Sequence, residues 1–280
     1  MPPVAFAFSE QLTVCDLCGK SEFAVRDQQA KIMECAGCGY RFLNPRPSQE
    51  EIAEAYSAPE QYDVWLREDE GRHRMWQKRW ELVKSHASGT RLLDVGAGLG
   101  TFLAEARDDG WEVSGTEVSK SAIAKARELF GFEMAEGQLE DVSLQGPYDV
   151  VTLWHVLEHL PSPSRGLDLA RRLLRRGGLL VVAVPNDSNA RWRFQKLKNG
   201  VYMPYEELAP GKEVHLSHFT VAALRAAIEA RGFRIQLLTV DDHYPAPTPR
   251  TDRLISAYRV LMATTGANLG VATLALARAE

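Results

Sequence analysis

A doubly wound α/β fold, a mostly parallel sheet with helices on both faces, is predicted for the larger part of this chain by two patterns. From Arg91 onward, apolar runs of strand length alternate with amphipathic helical stretches, and the first run ends in a glycine-rich turn that opens a helix. A third pattern sets the front apart: all four cysteines fall within the first 38 residues, as Cys15-x2-Cys18 and Cys35-x2-Cys38. The 280 residues suit one large α/β domain plus something small, and 45% hydrophobic with 25% charged is ordinary globular composition. With 33 Lys+Arg against 37 Asp+Glu the net charge is −4, which argues against a surface devoted to nucleic acid. The opening residues, MPPVAFAFSEQ, lack the basic and long apolar regions of a secretory signal. The longest uncharged stretch, 260–277, is broken by two Gly, three Thr and an Asn, so no membrane span and a cytoplasmic location are expected.

The cysteine spacing carries its own chemistry. A two-residue spacer lets both sulfurs of a pair face one ion, and Gly19 and Gly39 supply the tight turn behind each pair. Sixteen residues between the pairs suffice for a short hairpin, so Cys15, Cys18, Cys35 and Cys38 are expected to form a closed, structural four-thiolate zinc site. A disulfide pair or a redox CxxC is the competing reading; the lack of secretory context and the doubled motif favour zinc. Residues 10–50 hold five basic and six acidic side chains, so this ribbon is no obvious nucleic-acid clamp.

Three units follow: a zinc ribbon over 1–47, a helical cover over 48–89, and the α/β domain over 90–280. Asn44-Pro45-Arg46-Pro47 is a stiff connector, and Ser48 with Glu51 forms a capping box that opens a helix to about Tyr56. A second amphipathic stretch over about 61–86 carries Trp65, Trp76 and Trp80. Candidate strands lie at 91–95, 112–117, 148–154, 179–185, 234–240 and 272–277, and helices at 101–109, 120–130, 164–175 and 220–230. Arg171-Arg172 and Arg175-Arg176 fit the polar face and end of the third of these helices. Residues 187–216 and 244–266 fit no regular unit and read as insertions over the sheet's carboxyl edge.

Leu92-Leu93-Asp94-Val95-Gly96-Ala97-Gly98-Leu99-Gly100 is an apolar strand running into G-x-G-x-G and then a helix. Glycines serve where backbone must approach a ligand, and a helix N-terminus adds exposed N–H groups. Glu117 ends the next strand, where a carboxylate can accept both hydroxyls of a ribose. The competing reading makes Asp94 and Glu117 solvated loop carboxylates.

Together with SGTEVS, YDVVTLWHVLEHLPSP and LLRRGGLLVVAVPN, that turn resembles a class I S-adenosylmethionine-dependent methyltransferase over residues 90–280, specifically the branch with an N-terminal zinc ribbon, an Asn-Pro-Arg-Pro linker and a late H-L-x-H-F-[ST] element, here 215–220. The resemblance implies a seven-stranded Rossmann-like sheet and S-adenosylmethionine as cofactor. Asp94, Gly96, Ala97, Gly98 and Gly100 would line its methionine part, Glu117 would hold the ribose, and Val118 would pack on the adenine. Gln138 and Leu139 fall where the family carries an acidic adenine contact, a departure. Trp154 and His155 would face the sulfonium.

His155, Glu158 and His159 in HVLEH have i, i+3, i+4 spacing, one face of a helical turn. Three roles compete: loop bracing by Glu158 and His159; a general base, for which His155 is the candidate and His159 and His215 the neighbours; and a catalytic divalent ion, as in family members with an E-x-x-E-H version plus a distant His. Here His155 replaces the first Glu of that version. H-x-x-E-H is also the inverted zinc-peptidase signature, but its place after a buried strand opposes that. Residues 191–198 (RWRFQKLK) suit either a lid gripping an acidic or phosphate-bearing acceptor or an amphipathic helix with a solvated basic face. A small-molecule acceptor (a sugar, glycolipid or secondary metabolite) is the leading expectation; RNA methylation with the ribbon as grip, and a non-catalytic scaffold, are the alternatives. No Asn/Asp-Pro-Pro-Tyr segment follows the fourth strand and no cysteine lies outside the ribbon, which opposes methylation of base amines and of pyrimidine carbons.

Overall fold

The computed structural model describes residues 6–48, 50–52, 70–190, 194, 197–198, 214–241 and 249–280. Its front is a small antiparallel sheet of β1 (Phe23–Asp27), β2 (Ile32–Cys35) and β3 (Arg41–Leu43). After it come α1 (Glu70–His86), β4 (Arg91–Val95), α2 (Thr101–Asp108), β5 (Glu112–Glu117), α3 (Lys120–Phe130), β6 (Ala135–Glu136), β7 (Tyr148–Trp154), α4 (Pro163–Leu173) and β8 (Leu174–Pro185). The chain then supplies β9 (Ser217–His218), α5 (Val221–Glu229), β10 (Phe233–Val240), α6 (Pro249–Thr265) and β11 (Ala272–Ala279).

Seven strands form the main sheet in the order β10-β11-β8-β7-β4-β5-β6. β4 through β8 pair in parallel, and β11 lies antiparallel to both neighbours. That inserted strand leaves β10 pointing the same way as the parallel ones, so β4, β5, β7, β8 and β10 all end at one edge. The central strands are apolar throughout because both faces are covered. On one face Trp80 of α1, Phe102, Leu103 and Ala106 of α2 and Ile123 and Ala126 of α3 meet Leu92, Val150 and Val181. On the other, Leu167 and Ala170 of α4 and Ala223, Leu224 and Ile228 of α5 meet Leu93, Leu153 and Val182.

The ribbon is part of the molecule's core. Cys15, Cys35, Tyr40 and Phe42 belong to the same buried cluster as Leu153 and Val182, and β3 pairs with β9, making the small sheet four-stranded. Asp16 accepts from the Ser162 hydroxyl (2.5 Å) and the Ser164 amide (2.8 Å) where α4 begins. Arg46 donates to the Pro161 carbonyl at 2.7 Å.

The capping box closes as expected: Ser48 N–H donates to Glu51 Oε2 (2.8 Å) and Glu51 N–H to Ser48 Oγ (3.3 Å). Two expectations need correction. The helix placed at 164–175 ends at Leu173, and Arg175 and Arg176 belong to β8; Leu174 is already extended and pairs with Tyr148, while Arg175 bonds Asp149 and the Ser88 carbonyl. The segment at 244–266 is not irregular, since 249–265 is helix α6. Among the residues of α6 whose side chains are described, only Met262 is fully buried, so no apolar stripe announces it. The uncharged stretch at 260–277 is the end of α6 followed by β11, and no helix among the described residues is long and apolar enough to cross a membrane. Residues 53–69, with Trp65, and the basic segment's Arg191, Trp192, Arg193, Gln195 and Lys196 lie outside the described residues.

Candidate active site

The carboxyl edge gathers the predicted residues. Gly96, Gly98 and Gly100 all have positive φ (65°, 55° and 77°), which a side chain at those positions would strain. A Cβ at Gly96 would come within 2.6 Å of Val156, whereas one at Gly98 would meet nothing within 4 Å. Backbone thus bends around open space at Gly98. Ala97 is held by its N–H on the Thr116 carbonyl at 2.9 Å. Asp94 is 2% exposed and accepts from Thr152 Oγ1 at 2.6 Å. Burial pushes its carboxyl up to about 7, the Glu117 charge adding and the Thr152 hydrogen bond opposing.

Glu117 ends β5 with both oxygens engaged. Oε2 accepts from Gly98 N–H (2.8 Å), and Oε1 accepts from Val118 N–H (2.8 Å) and Ser119 N–H (2.9 Å). Burial raises its proton affinity against those three bonds. One carboxylate therefore ties the glycine turn to the end of the neighbouring strand. Val118, 39% exposed, follows it. Gln138 lies just beyond β6, whereas Leu139 is buried in the core. Trp154 is also turned inward, against Trp76 and Phe102. The Arg79 guanidinium lies 4.7 Å from its ring centroid, and the indole N–H has no hydrogen-bond partner among the described residues.

His155 follows Trp154 in left-handed backbone (φ 56°), its N–H on the Ala183 carbonyl at 2.9 Å. Its ring sits between two buried carboxylates: Nδ1 is 3.4 Å from Glu158 Oε1 and Nε2 is 3.5 Å from Asp241 Oδ2. Burial alone would lower its pKa, but hydrogen bonding to Asp241 and Glu158 outweighs this and pushes it up to about 9. Asp241 ion-pairs with Arg79, both 3% exposed or less, and the Arg79 NH2 group is 3.3 Å from His155 Nε2. Arg79 and Asp241 were not singled out in the sequence. Asp241 had a signal, a carboxylate at the carboxyl end of a strand like Glu117, whereas Arg79 is one of many charges in the amphipathic stretch over 61–86.

The helical turn expected for HVLEH is a tighter one, and the left-handed residue splits the histidines. His155 turns to Asp241, while His159 meets His215, ring centroids 4.8 Å apart, with His218 6.3 Å from His215. His159 Nδ1 lies 2.7 Å from the Val214 carbonyl, which can only accept, so Nδ1 carries a proton and Nε2 is the nitrogen left to face His215. His218 is neutral: burial pushes it down to about 3, with the charges of His215 and Arg41 adding. Glu158 braces the loops through its carbonyl, which accepts from Leu216 N–H (2.9 Å) and Ser217 N–H (3.0 Å). Donor atoms of Glu158, His159 and His215 lie within 4.8 Å of one another. His155, whose pKa its two carboxylate neighbours raise, stands beside Glu158 where the E-x-x-E-H version has a second carboxylate.

The four cysteine sulfurs also lie within 4.8 Å of one another, and none is in a disulfide. Cys15–Cys38 and Cys18–Cys35 Sγ separations are 3.6 and 3.5 Å, close to the edge of about 3.8 Å that zinc–sulfur bonds of about 2.3 Å give a tetrahedron. The thiols fit a structural zinc ion.

A family model described as a methyltransferase domain matches residues 67–238. The chain belongs to this methyltransferase family. Among curated relatives, the ubiquinone biosynthesis O-methyltransferase of Nitrosococcus oceani is 28% identical over 181 residues, 61% of this chain and 75% of that protein. Its counterpart from Thiobacillus denitrificans is 32% identical over 116 residues, 39% of this chain and 50% of that protein. The solved magnesium protoporphyrin IX methyltransferase (ChlM) from Synechocystis PCC 6803, with bound SAH, superposes with a TM-score of 0.57 at 15% identity, covering 83% of this chain and 100% of that one. The CcbJ methyltransferase from Streptomyces caelestis gives 0.57 at 16% identity over 80% and 98%. These two likenesses are of fold. The methyltransferase is S-adenosylmethionine-dependent, and the glycine turn with its open space at Gly98 fits that cofactor.

Proposed function

We propose that this methyltransferase moves the methyl group to a hydroxyl of a small-molecule acceptor, with His155 taking the hydroxyl proton. The observation that carries this reading is His155 itself: an imidazole at the carboxyl end of β7, held between Asp241 and Glu158 and directly followed by Val156, which packs beside the glycine turn at Gly96. The O-methyltransferase names of the relatives support a hydroxyl acceptor. S-adenosylmethionine supplies an already activated methyl, so the chain's own work is alignment, exclusion of water and acceptance of a proton. In the free protein His155 keeps its proton; a second positive charge arriving at the carboxyl edge lowers its pKa and leaves it able to accept. Asp94, Gly96, Ala97, Gly98, Gly100, Glu117 and Val118 would cradle the cofactor, Asp94 facing its amino group, while His159 and His215 would border the acceptor.

His155→Ala should cut turnover at least ~100-fold, the lower range for a general base, with cofactor affinity nearly intact. The assay is label transfer from S-adenosylmethionine to a panel of catechols, sugars and bulk RNA. Unchanged turnover removes His155 from the chemistry, and label on RNA alone overturns the small-molecule reading. Affinity carries a second expectation. Asp94 is largely neutral below about 7, so binding of a ligand bearing an ammonium group should strengthen from about pH 6 to about pH 7.5 as the carboxyl ionises. Calorimetry should show that slope in the native protein and not in Asp94→Asn.

A further inference from the structure

His215 lies just before, and His218 within, a strand that cannot stand alone. β9 is two residues long, and two short edges hold it. On one side β3 pairs Arg41 with His218 and Phe42 with Ser217, and Leu43 N–H donates to the Leu216 carbonyl at 3.0 Å. On the other, the Glu158 carbonyl takes the amides of Leu216 and Ser217. Across the first edge the Tyr40 hydroxyl and Ser217 Oγ are hydrogen-bonded at 2.5 Å, both buried. Tyr40 is two residues beyond Cys38, and its carbonyl accepts from Cys35 N–H at 2.8 Å. A continuous path of hydrogen bonds therefore runs from the second cysteine pair through Tyr40 and β9 to the loop that carries Glu158 and His159.

We propose that Tyr40 is a positioning residue for methyl transfer, and that the zinc-held Cys35–Cys38 turn fixes the His215 side of the site through it. The proposal rests on the reading that His159 and His215 border the acceptor. β3 is only three residues long and follows directly on the Cys35–Cys38 turn, so the ion's binding energy adds to the core packing of Tyr40 and Phe42 in holding β3 in place for β9. Loss of the ion loosens β3, and with it one of the two edges of β9. The glycine turn and Glu117 stand in the other sheet, whose strands do not pair with the ribbon. Zinc thereby controls the acceptor side while leaving the cofactor side in place.

The test uses the full chain. Chelation of zinc, verified by elemental analysis, should speed amide exchange at Leu216 and Ser217 at least ~100-fold, since their bonds to the Glu158 carbonyl persist only while β3 holds the other edge of β9. Tyr40→Phe, with zinc retained, should speed the same amides about fivefold, the effect of one hydrogen bond. In both cases calorimetric affinity for S-adenosylmethionine should change less than about twofold, and turnover should fall through kcat and acceptor KM. Unchanged exchange at Leu216 and Ser217 after zinc removal overturns the proposal, as does loss of cofactor affinity in parallel with loosening of β9. The underlying reading fails separately: if His215→Ala turns over normally while zinc removal still loosens β9, the link stands but His215 is not at the acceptor.

Discussion

Glu117→Ala is expected to lower the affinity for S-adenosylmethionine at least ~100-fold, about 2.7 kcal/mol, and to lower the melting temperature as well. Both losses follow from the three amides that the carboxylate holds. Without it, the N–H groups of Gly98, Val118 and Ser119 lose their acceptor in a region where Glu117 itself is 5% exposed, and each orphaned buried donor costs about 1–3 kcal/mol. Gly98 then loses the bond that holds its φ of 55° over the open space, so the cradle loosens before any ligand arrives. The second part of the affinity loss is direct, because a ribose can no longer donate to a carboxylate at the end of β5. Glu117→Gln separates the two. One amide oxygen can still accept from the turn, so most of the stability should return while affinity stays at least ~10-fold down for want of the charge. Calorimetry with S-adenosylmethionine and thermal melts of the three proteins decide it. Affinity within threefold of native in a folded Glu117→Ala protein would move the cofactor away from β5.

What the sequence disclosed depends on the range of the interactions involved. Ser48 and Glu51 are three residues apart and their capping box closes as read. The runs LLDV, YDVVTLW and LLVVAV are buried on both faces, so apolar continuity alone placed β4, β7 and most of β8. The helix expected over 164–175 takes in Leu174, but pairing with Tyr148, 26 residues away, makes that residue strand. β9 could not be found at all, since two residues show no periodicity and their partner strand lies far back in the ribbon. The HVLEH spacing suits a helical turn, yet His155's positive φ lets its ring reach Asp241, just beyond the end of the distant strand β10. Periodicity sees which residues share a face, and a single left-handed residue breaks that inference.

Asp241→Ala is expected to destabilise the protein by about 3–5 kcal/mol, whereas the double variant Arg79→Met, Asp241→Leu should be near native stability or above it. Removing the carboxylate alone strands the Arg79 guanidinium, 3% exposed, between the rings of Trp76 and Trp154 at 4.8 and 4.7 Å. Removing both charges takes away the desolvation penalty with the attraction, and a methionine side chain packs well against indoles. The ion pair is therefore not required for stability, and its consequence falls on His155. Asp241 is one of the two carboxylates that raise this histidine from 6.5 to about 9. A histidine whose folded pKa is raised contributes stability that is full below its unfolded pKa and is lost as pH rises through the folded one. That contribution should decline from about pH 6.5 to about pH 9 in the native protein and decline less in the double variant, whose histidine keeps only Glu158. Turnover of the double variant should fall while its cofactor affinity holds, because His155 loses both neighbours of Nε2. Denaturant melts at the two pH values, with label transfer beside them, test all three statements. A double variant as unstable as Asp241→Ala would show that Arg79 and Asp241 hold the fold rather than the histidine.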